Sequence, residues 1–212
     1  MKDAAMPAQR YEAVIFDLLT ALLDSWKLWN NVAGFEDAGT RWRKAYLGLT
    51  YNCGPYRPYE ELVATSAQIA GLPQAVADRL VARWSDLEPW DDVADVVGAI
   101  ARQVPLGIAT NCSIALTDAA VSAVGVKFAA VSCAEEVGYY KPRPEPYLAV
   151  LKKLGTDPAR TLFVAGSSAD VPGATGVGMP VFWHNRAGLA FTSDKARPMV
   201  AADTLRPLLD LV

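Results

Sequence analysis

Histidine is almost missing from this chain, which has one in 212 residues, and cysteine is scarce and odd in number. With His184 alone, the sequence cannot build a histidine-rich metal site. Cys53, Cys112 and Cys133 show no C-x-x-C spacing, so neither a zinc site nor a disulfide framework is implied, and a reducing compartment is favoured. Serine–histidine–aspartate catalysis also lacks its usual signature, because the chain contains no G-x-S-x-G turn.

Long apolar runs and a strong charge excess are missing as well. No stretch approaches the roughly 18–20 apolar residues that span a bilayer, and residues 1–10 lack the apolar core of a signal peptide. The formal net charge of −3 gives no general attraction to nucleic acid or to an anionic membrane. We therefore expect a cytoplasmic protein with neither a nucleic-acid nor a membrane partner. Hydrophobic residues make up 52% of the chain, which is enough for a substantial folded core.

Short apolar runs bounded by turn or polar residues predict buried strands. Helical patterns fall between them, and this alternation predicts a doubly wound, Rossmann-like parallel sheet of the α/β class. The predicted strands are 13–16, 106–110, 128–132, 162–165 and 181–183. The helices predicted between them are 93–101, 117–124, 145–154 and 171–176.

The stretch 24–90 interrupts this alternation and holds five of the six tryptophans. Its helical patterns cover 40–50, 59–70 and 74–83, with Gly-Pro and Gly-Leu-Pro breaks between them. We therefore predict a small α-helical cap domain, residues 24–90, inserted into an α/β core made of residues 1–23 and 91–212. An insertion after the first strand lies above the carboxyl edge of the sheet, where its aromatic side chains form its own core or line a pocket.

Polar side chains stand at four points where the predicted strands end. Asp17 ends the first strand, and Thr110 and Asn111 follow the second. Lys141 is expected near the rim after the third, and a Gly-Ser-Ser turn after the fourth leads to Asp170. Because open α/β sheets place their ligands at the carboxyl ends of the strands, we expect these side chains to form one site. Its hydroxyl, amide and loop N–H groups suit an oxygen anion.

This order of acid, hydroxyl and amide, lysine, and acid resembles the four motifs of the haloacid dehalogenase superfamily. Residues 16–24 resemble the first motif, with Asp17 at the position of the nucleophile, and residues 110–111 resemble the second. Residues 141–142 and 166–174 resemble the third and fourth motifs. The resemblance covers essentially the whole chain, and it matches the stretch 24–90 to the helical cap.

Leu19 indicates which reaction of that superfamily to expect. Phosphatases of the superfamily carry an acid two residues after the nucleophile, which protonates the leaving alcohol, and leucine cannot do so. They also hold Mg²⁺ with an acid in the fourth motif, where this chain has Gly166, so binding by Asp17 and Asp170 is expected to be weak or absent. A halide leaves as an anion and needs no proton. A metal-independent 2-haloacid dehalogenase without a cofactor is therefore favoured.

Resemblance to the dehalogenase branch also implies roles for single residues. Asp17 attacks the substrate, Lys141 keeps it ionised, and Asp170 helps to activate the water that hydrolyses the ester. Arg43 falls where these enzymes carry a cap arginine, which suits the carboxylate or the halide of a small anionic substrate. Related dehalogenases commonly dimerise, so a homodimer is expected. The residues expected to bind substrate are Leu19, Arg43, Thr110, Asn111, Tyr147 and Ser167.

The chain departs from the dehalogenase pattern at several hydroxyl-bearing positions. Ala21 replaces the usual threonine, with Thr20 as a substitute donor to Asp17, and Ala165-Gly166-Ser167 replaces Ser-Ser-Asn. Two alternatives therefore stay open. One is a phosphohydrolase that lacks the usual second acid and binds Mg²⁺ through Asp17 and Asp170. The other is a protein without enzymatic activity that binds a small anion.

Overall fold

Six parallel strands form one sheet in a computed structural model that describes residues 11–191, 193–194 and 196–212. Residues 1–10 of the predicted core lie outside the described residues. The strand order is β3-β2-β1-β4-β5-β6, so the order reverses between β1 and β4. The strands are β1 (Ala13–Phe16), β2 (Leu106–Thr110), β3 (Ala130–Cys133), β4 (Thr161–Ala165), β5 (Val181–His184) and β6 (Val200–Ala202).

Helices connect the strands from β1 to β5. Between β1 and β2 it forms α1 (Ser25–Ala33), α2 (Glu36–Tyr51), α3 (Tyr59–Ile69), α4 (Gln74–Ala82), a 3-10 helix (Trp84–Asp86) and α5 (Val93–Ile100). After β2 follow α6 (Ile114–Val124), α7 (Ala134–Val137), α8 (Pro144–Leu154), α9 (Asp170–Gly176) and two 3-10 helices (Pro158–Arg160 and Arg206–Asp210). Among these residues, no helix is both long and apolar enough to cross a membrane.

Alternate side chains of β1 face opposite sides of the sheet, and both sides are covered. Val14 and Phe16 lie in one buried cluster, whereas Ile15 packs in a second cluster with Tyr147 of α8 and Val171 of α9. A strand that is apolar on both faces is typical of a parallel sheet with helices on each side. The predicted α/β class and doubly wound parallel sheet are thus confirmed.

The structure adds elements that the apolar pattern did not predict. Helix α1 begins after Asp24, whose side chain accepts a hydrogen bond from the N–H of Lys27, and it ends at Gly34 in the left-handed conformation. Helix α7 has only four residues and β6 only three, too few for a period to show. The third strand begins at Ala130, two residues later than predicted.

Helices α1 to α4 and the 3-10 helix after them, residues 25–86, form what we call the helical insertion. The chain enters and leaves it side by side, through an antiparallel bridge between Leu23 and Pro89. Its core is aromatic, with the rings of Trp29 and Trp42 centred 4.4 Å apart. Its inner side meets the loop after β2, where the Tyr46 hydroxyl donates to the carbonyl of Asn111.

Candidate active site

Asp17 follows β1 directly, and the turn after it surrounds its carboxylate with donors. Oδ2 accepts hydrogen bonds from the N–H and hydroxyl of Thr20, at 3.0 and 2.6 Å, and from the N–H of Ala21 at 3.2 Å. Burial alone would raise the pKa of Asp17, but the Lys141 ammonium and the Thr20 donors outweigh it, so the pKa lies below its ordinary value. Asp17 is therefore an ionised carboxylate in a dry position.

Lys141 bridges the two acids, Asp17 and Asp170, which follow the strands on either side of the switch point of the sheet. Its Nζ lies 2.8 Å from Asp17 Oδ1 and 3.0 Å from Asp170 Oδ2, and only 1% of the residue is exposed. The side-chain amide of Asn111 holds the Lys141 backbone, accepting from its N–H at 2.7 Å and donating to its carbonyl at 3.0 Å. The lysine does not follow the third strand directly, because α7 and a turn after Gly138 lie between them.

Asp170 is the first residue of α9, and its two oxygens face different partners. Oδ2 binds Lys141, while Oδ1 accepts the hydroxyl of Tyr147 at 2.8 Å. Burial and the negative charge of Asp17 raise the pKa of Asp170, and the lysine and tyrosine do not fully offset this rise. Two neighbouring carboxyl groups whose pKa values are pushed apart suit different roles in acid–base chemistry.

Arg43 of α2 is a buried cation with unpaired donors. The residue is 2% exposed, and its guanidinium carbon lies 4.8 Å from the ring centre of Trp26 and 5.2 Å from that of Trp29. Burial lowers the pKa of Arg43, but a guanidinium stays protonated at neutral pH. Its Nε and Nη1 are buried without a hydrogen-bond partner among the described residues. Unpaired donors of this kind indicate a place for an anion.

These groups meet in one cavity between the helical insertion and the sheet. Its free volume of about 40 Å³ holds roughly three water molecules. Seven residues predicted for the site are in its wall, but Thr110 and Tyr147 are not. The wall consists of Asp17, Leu19, Thr20, Trp26, Arg43, Tyr46, Leu47, Tyr51, Asn111, Lys141, Gly166, Ser167, Asp170 and Leu189.

The two predicted residues outside the wall lie behind it. Thr110 ends β2 with a fully buried hydroxyl that has no hydrogen-bond partner in the described chain. Tyr147 lies on α8 and contacts Asp170 with its hydroxyl. Asn111 reaches the cavity, but the oxygen and nitrogen of its amide both bind the backbone of Lys141. Its geometry is that of a group that positions the lysine.

Sequence reasoning did not assign site roles to several wall residues. Leu47 and Tyr51 follow Arg43 at intervals of four residues on α2, and residues at this spacing share a helix face. That spacing was a usable signal once Arg43 had been chosen. Leu189 has no such signal, because it lies in a loop after β5. The path of this loop depends on the side-chain amide of Asn185, which binds the backbone N–H and carbonyl of Leu189.

The Lys141 ammonium already stands where Asp17 and Asp170 would share Mg²⁺. The dication needs oxygen ligands in near-ideal octahedral geometry, whereas this position holds a cation that contacts an oxygen of each acid. Within the described residues, no group of three or more histidine, cysteine or acidic side chains is arranged to hold a metal.

Gly166, which stands where superfamily phosphatases carry their acid, has no space for a side chain. A Cβ there would lie 2.2 Å from Thr20 Oγ1 and 2.3 Å from the backbone nitrogen of Ala21. We expect Gly166→Ala to lower the free energy of unfolding by about 1–3 kcal/mol, because the first turn after Asp17 must move. Thermal or urea denaturation measures the change.

Gly98→Ala is the matched control for that substitution. Gly98 lies within α5, and a Cβ there would meet nothing within 4 Å. Alanine in a helix interior is favoured over glycine by about 0.5–1 kcal/mol, so this variant should gain stability. Equal stability changes in the two variants would contradict the steric account of position 166.

An acid–lysine–acid centre at the switch point of a doubly wound α/β sheet, closed by a helical insertion, is typical of an enzyme active site built on carboxylates. A family model described as haloacid dehalogenase-like hydrolase matches residues 11–178, and the chain belongs to that family.

Comparisons with individual proteins agree with this assignment. The chain is 28% identical over 204 residues to an (S)-2-haloacid dehalogenase of Pseudomonas putida, with 88% of this chain and 90% of the relative covered. A phosphoglycolate phosphatase of Escherichia coli K12 is 34% identical over only 91 residues, which are 42% of this chain and 36% of the phosphatase. An L-2-haloacid dehalogenase from Xanthobacter autotrophicus, solved with chloropropionic acid covalently bound, superimposes with a TM-score of 0.81 at 22% identity, covering 95% of this chain and 98% of that one.

Proposed function

We propose that this hydrolase is a metal-independent 2-haloacid dehalogenase in which Asp17 displaces the halide. The observation that carries the proposal is an ionised Asp17 in the same cavity as an unpaired buried Arg43. Leu19 stands where a phosphatase needs a second acid and lines that cavity without a titratable group. The similarity to the Pseudomonas dehalogenase extends over nearly the whole chain and supports the same activity.

In the first step, a carboxylate oxygen of Asp17 attacks C2 of the haloacid. A carbon–oxygen bond forms as the carbon–halogen bond breaks, and the bonding pair leaves with the halide. The negative charge of the substrate needs a partner in this buried cavity. Arg43 supplies it, because its free N–H groups can bind the carboxylate or the departing halide.

In the second step, water hydrolyses the ester. Its oxygen attacks Cγ of Asp17, and Asp170 accepts a proton from it. The bond between Asp17 Cγ and the substrate oxygen then breaks. One proton of the water ends on the 2-hydroxy acid and the other goes to solvent, which regenerates the Asp17 carboxylate. Lys141 stabilises both acids through this cycle, since its ammonium contacts each of them.

The two parts of the chain contribute different groups to this reaction. We assign residues 24–90 as a cap that supplies Arg43, Leu47 and Tyr51, while the remaining residues supply the two acids and the lysine. The small cavity favours a two- or three-carbon haloacid over a larger one. A homodimer stays a prediction.

We expect the purified protein to release halide from chloroacetate or 2-chloropropionate at the same rate in EDTA and in Mg²⁺, because no step uses a metal. Halide release is followed by ion chromatography. Folded protein that releases none across a panel of haloacids would overturn the proposal. Mg²⁺-dependent hydrolysis of p-nitrophenyl phosphate would favour the phosphohydrolase instead, and binding of acetate without any turnover would favour the anion binder.

The first step is expected to persist in mildly acidic buffer. The pKa of Asp17 lies below its ordinary value, because the Lys141 ammonium and the Thr20 donors outweigh burial, so the carboxylate stays ionised and can still attack as the pH falls. Rapid acid quenching should therefore show halide release in the first turnover at a pH near the ordinary pKa of an aspartic acid. Loss of that release well above this pH would contradict the ionised state of Asp17.

A further inference from the structure

Tyr51 and Ser167 join their hydroxyl groups across the cavity. Their oxygens lie 2.8 Å apart, one at the end of α2 and the other in the turn after β4. Neither side chain belongs to the acid–lysine–acid centre, yet both are in the wall of the same cavity. The pair therefore joins the helical insertion to the sheet at the reacting groups.

The pair lies on the Asp170 side of the cavity. Ser167 is in the turn that leads into α9, and its carbonyl accepts the backbone N–H of Asp170 at 3.1 Å. On α2, Arg43 and Tyr51 lie on the same face, two turns apart, which separates their Cα atoms by roughly 12 Å. The two side chains therefore reach the same cavity from different turns of α2.

The two hydroxyls have hydrogen-bonding capacity left after they bind each other. They carry two hydrogens, of which their mutual bond uses one. The hydroxyl of Ser167 also accepts the N–H of Ala169 at 3.3 Å, which restrains its direction. Whichever oxygen donates, one hydroxyl hydrogen and one lone pair remain available to a molecule in the cavity.

We propose that Tyr51, through its hydrogen bond with Ser167, positions the water that hydrolyses the Asp17 ester. This inference rests on the proposed function, since it requires that ester. The water gives one proton to Asp170 and hydrogen-bonds the hydroxyl pair, which leaves a lone pair for Cγ of Asp17. Tyr51 is thus a positioning residue of the second step and has no part in the first.

The test separates the two steps in Tyr51→Phe. Bromoacetate is the probe, because its good leaving group makes attack by Asp17 fast, and rapid quenching keeps the ester for mass spectrometry of the peptide that contains Asp17. We expect halide release in the first turnover to be unchanged and the ester to accumulate. Hydrolysis of the ester should be slower by about tenfold, which corresponds to an activation free energy higher by ~1.4 kcal/mol. Ser167→Ala removes the same hydrogen bond from the other side and should give the same accumulation of ester. It replaces Tyr51→Phe in the test if that variant folds poorly.

Ser113→Ala is the matched control outside the cavity wall. It also removes a hydrogen bond between the helical insertion and the rest of the chain, from the Ser113 hydroxyl to the Glu60 carboxylate, so no ester should accumulate. Equal slowing of both steps in Tyr51→Phe, unchanged hydrolysis, or ester accumulation in Ser113→Ala would overturn the positioning role. Wild-type protein that forms neither halide nor ester would instead overturn the proposed function.

Discussion

Asp17→Asn should release halide at least about a thousandfold more slowly than the wild-type protein, with no ester on residue 17. The amide oxygen is a poor nucleophile, so the first bond-forming step is lost. Asparagine keeps an oxygen that can accept the hydrogen bonds of Thr20, so the turn after β1 should persist. Initial rates of halide release, together with intact-protein mass after quenching, measure both effects.

Asp24→Asn also replaces a carboxylate by an amide, a few residues away and outside the cavity wall, and is the control for Asp17→Asn. Asp24 caps α1 by accepting the N–H of Lys27, and asparagine caps helices about equally well. We expect this variant to keep its turnover. Substantial halide release by Asp17→Asn would show that another group attacks the substrate.

Lys141→Met should lower the free energy of unfolding by about 3–5 kcal/mol, because it leaves two carboxylates buried without their cation. Without the ammonium, burial and mutual repulsion raise the pKa of both Asp17 and Asp170. The wild-type protein gains stability from Lys141 only while these acids are ionised. The stability difference between the proteins should therefore shrink as the pH falls and both acids become protonated.

Urea denaturation over a range of pH measures that difference, and Lys27→Met is the matched control. Lys27 pairs with Glu88, but more than half of each side chain is exposed, so solvent screens the pair. Losing it should change stability little at any pH. A Lys141→Met variant as stable as Lys27→Met at neutral pH would show that the buried acids are already protonated.

The strands and the chemistry at their ends could be predicted because each signal is local. The apolar run of β1 ends at Asp17, and its 13–16 bounds match the structure. The path from the end of β3 to Lys141 was less predictable. It includes α7, which is too short to show a helical period in the sequence. The position of Lys141 depends on the Asn111 amide, a contact between distant segments that neither segment reveals alone.

Contacts that cross from the helical insertion were the hardest to foresee. Arg43 was identified only through the resemblance to dehalogenases, and its burial between two tryptophan rings depends on how α1 packs on α2. Tyr51 was one of many aromatic residues in this stretch, and most of these form the core of the insertion. Only the fold shows that its hydroxyl meets Ser167.

The contact between Gly166 and the turn after Asp17 also restricts how mutations could convert one site into the other. An acid at position 166 would collide with the Thr20 side chain and with the backbone of Thr20 and Ala21. A smaller residue at position 20 would remove a 2.6 Å hydrogen bond from Asp17 and would leave the backbone contacts in place. An evolutionary path from this pocket to a metal-binding one therefore requires the backbone of the turn to move, which a substitution at position 20 alone does not provide.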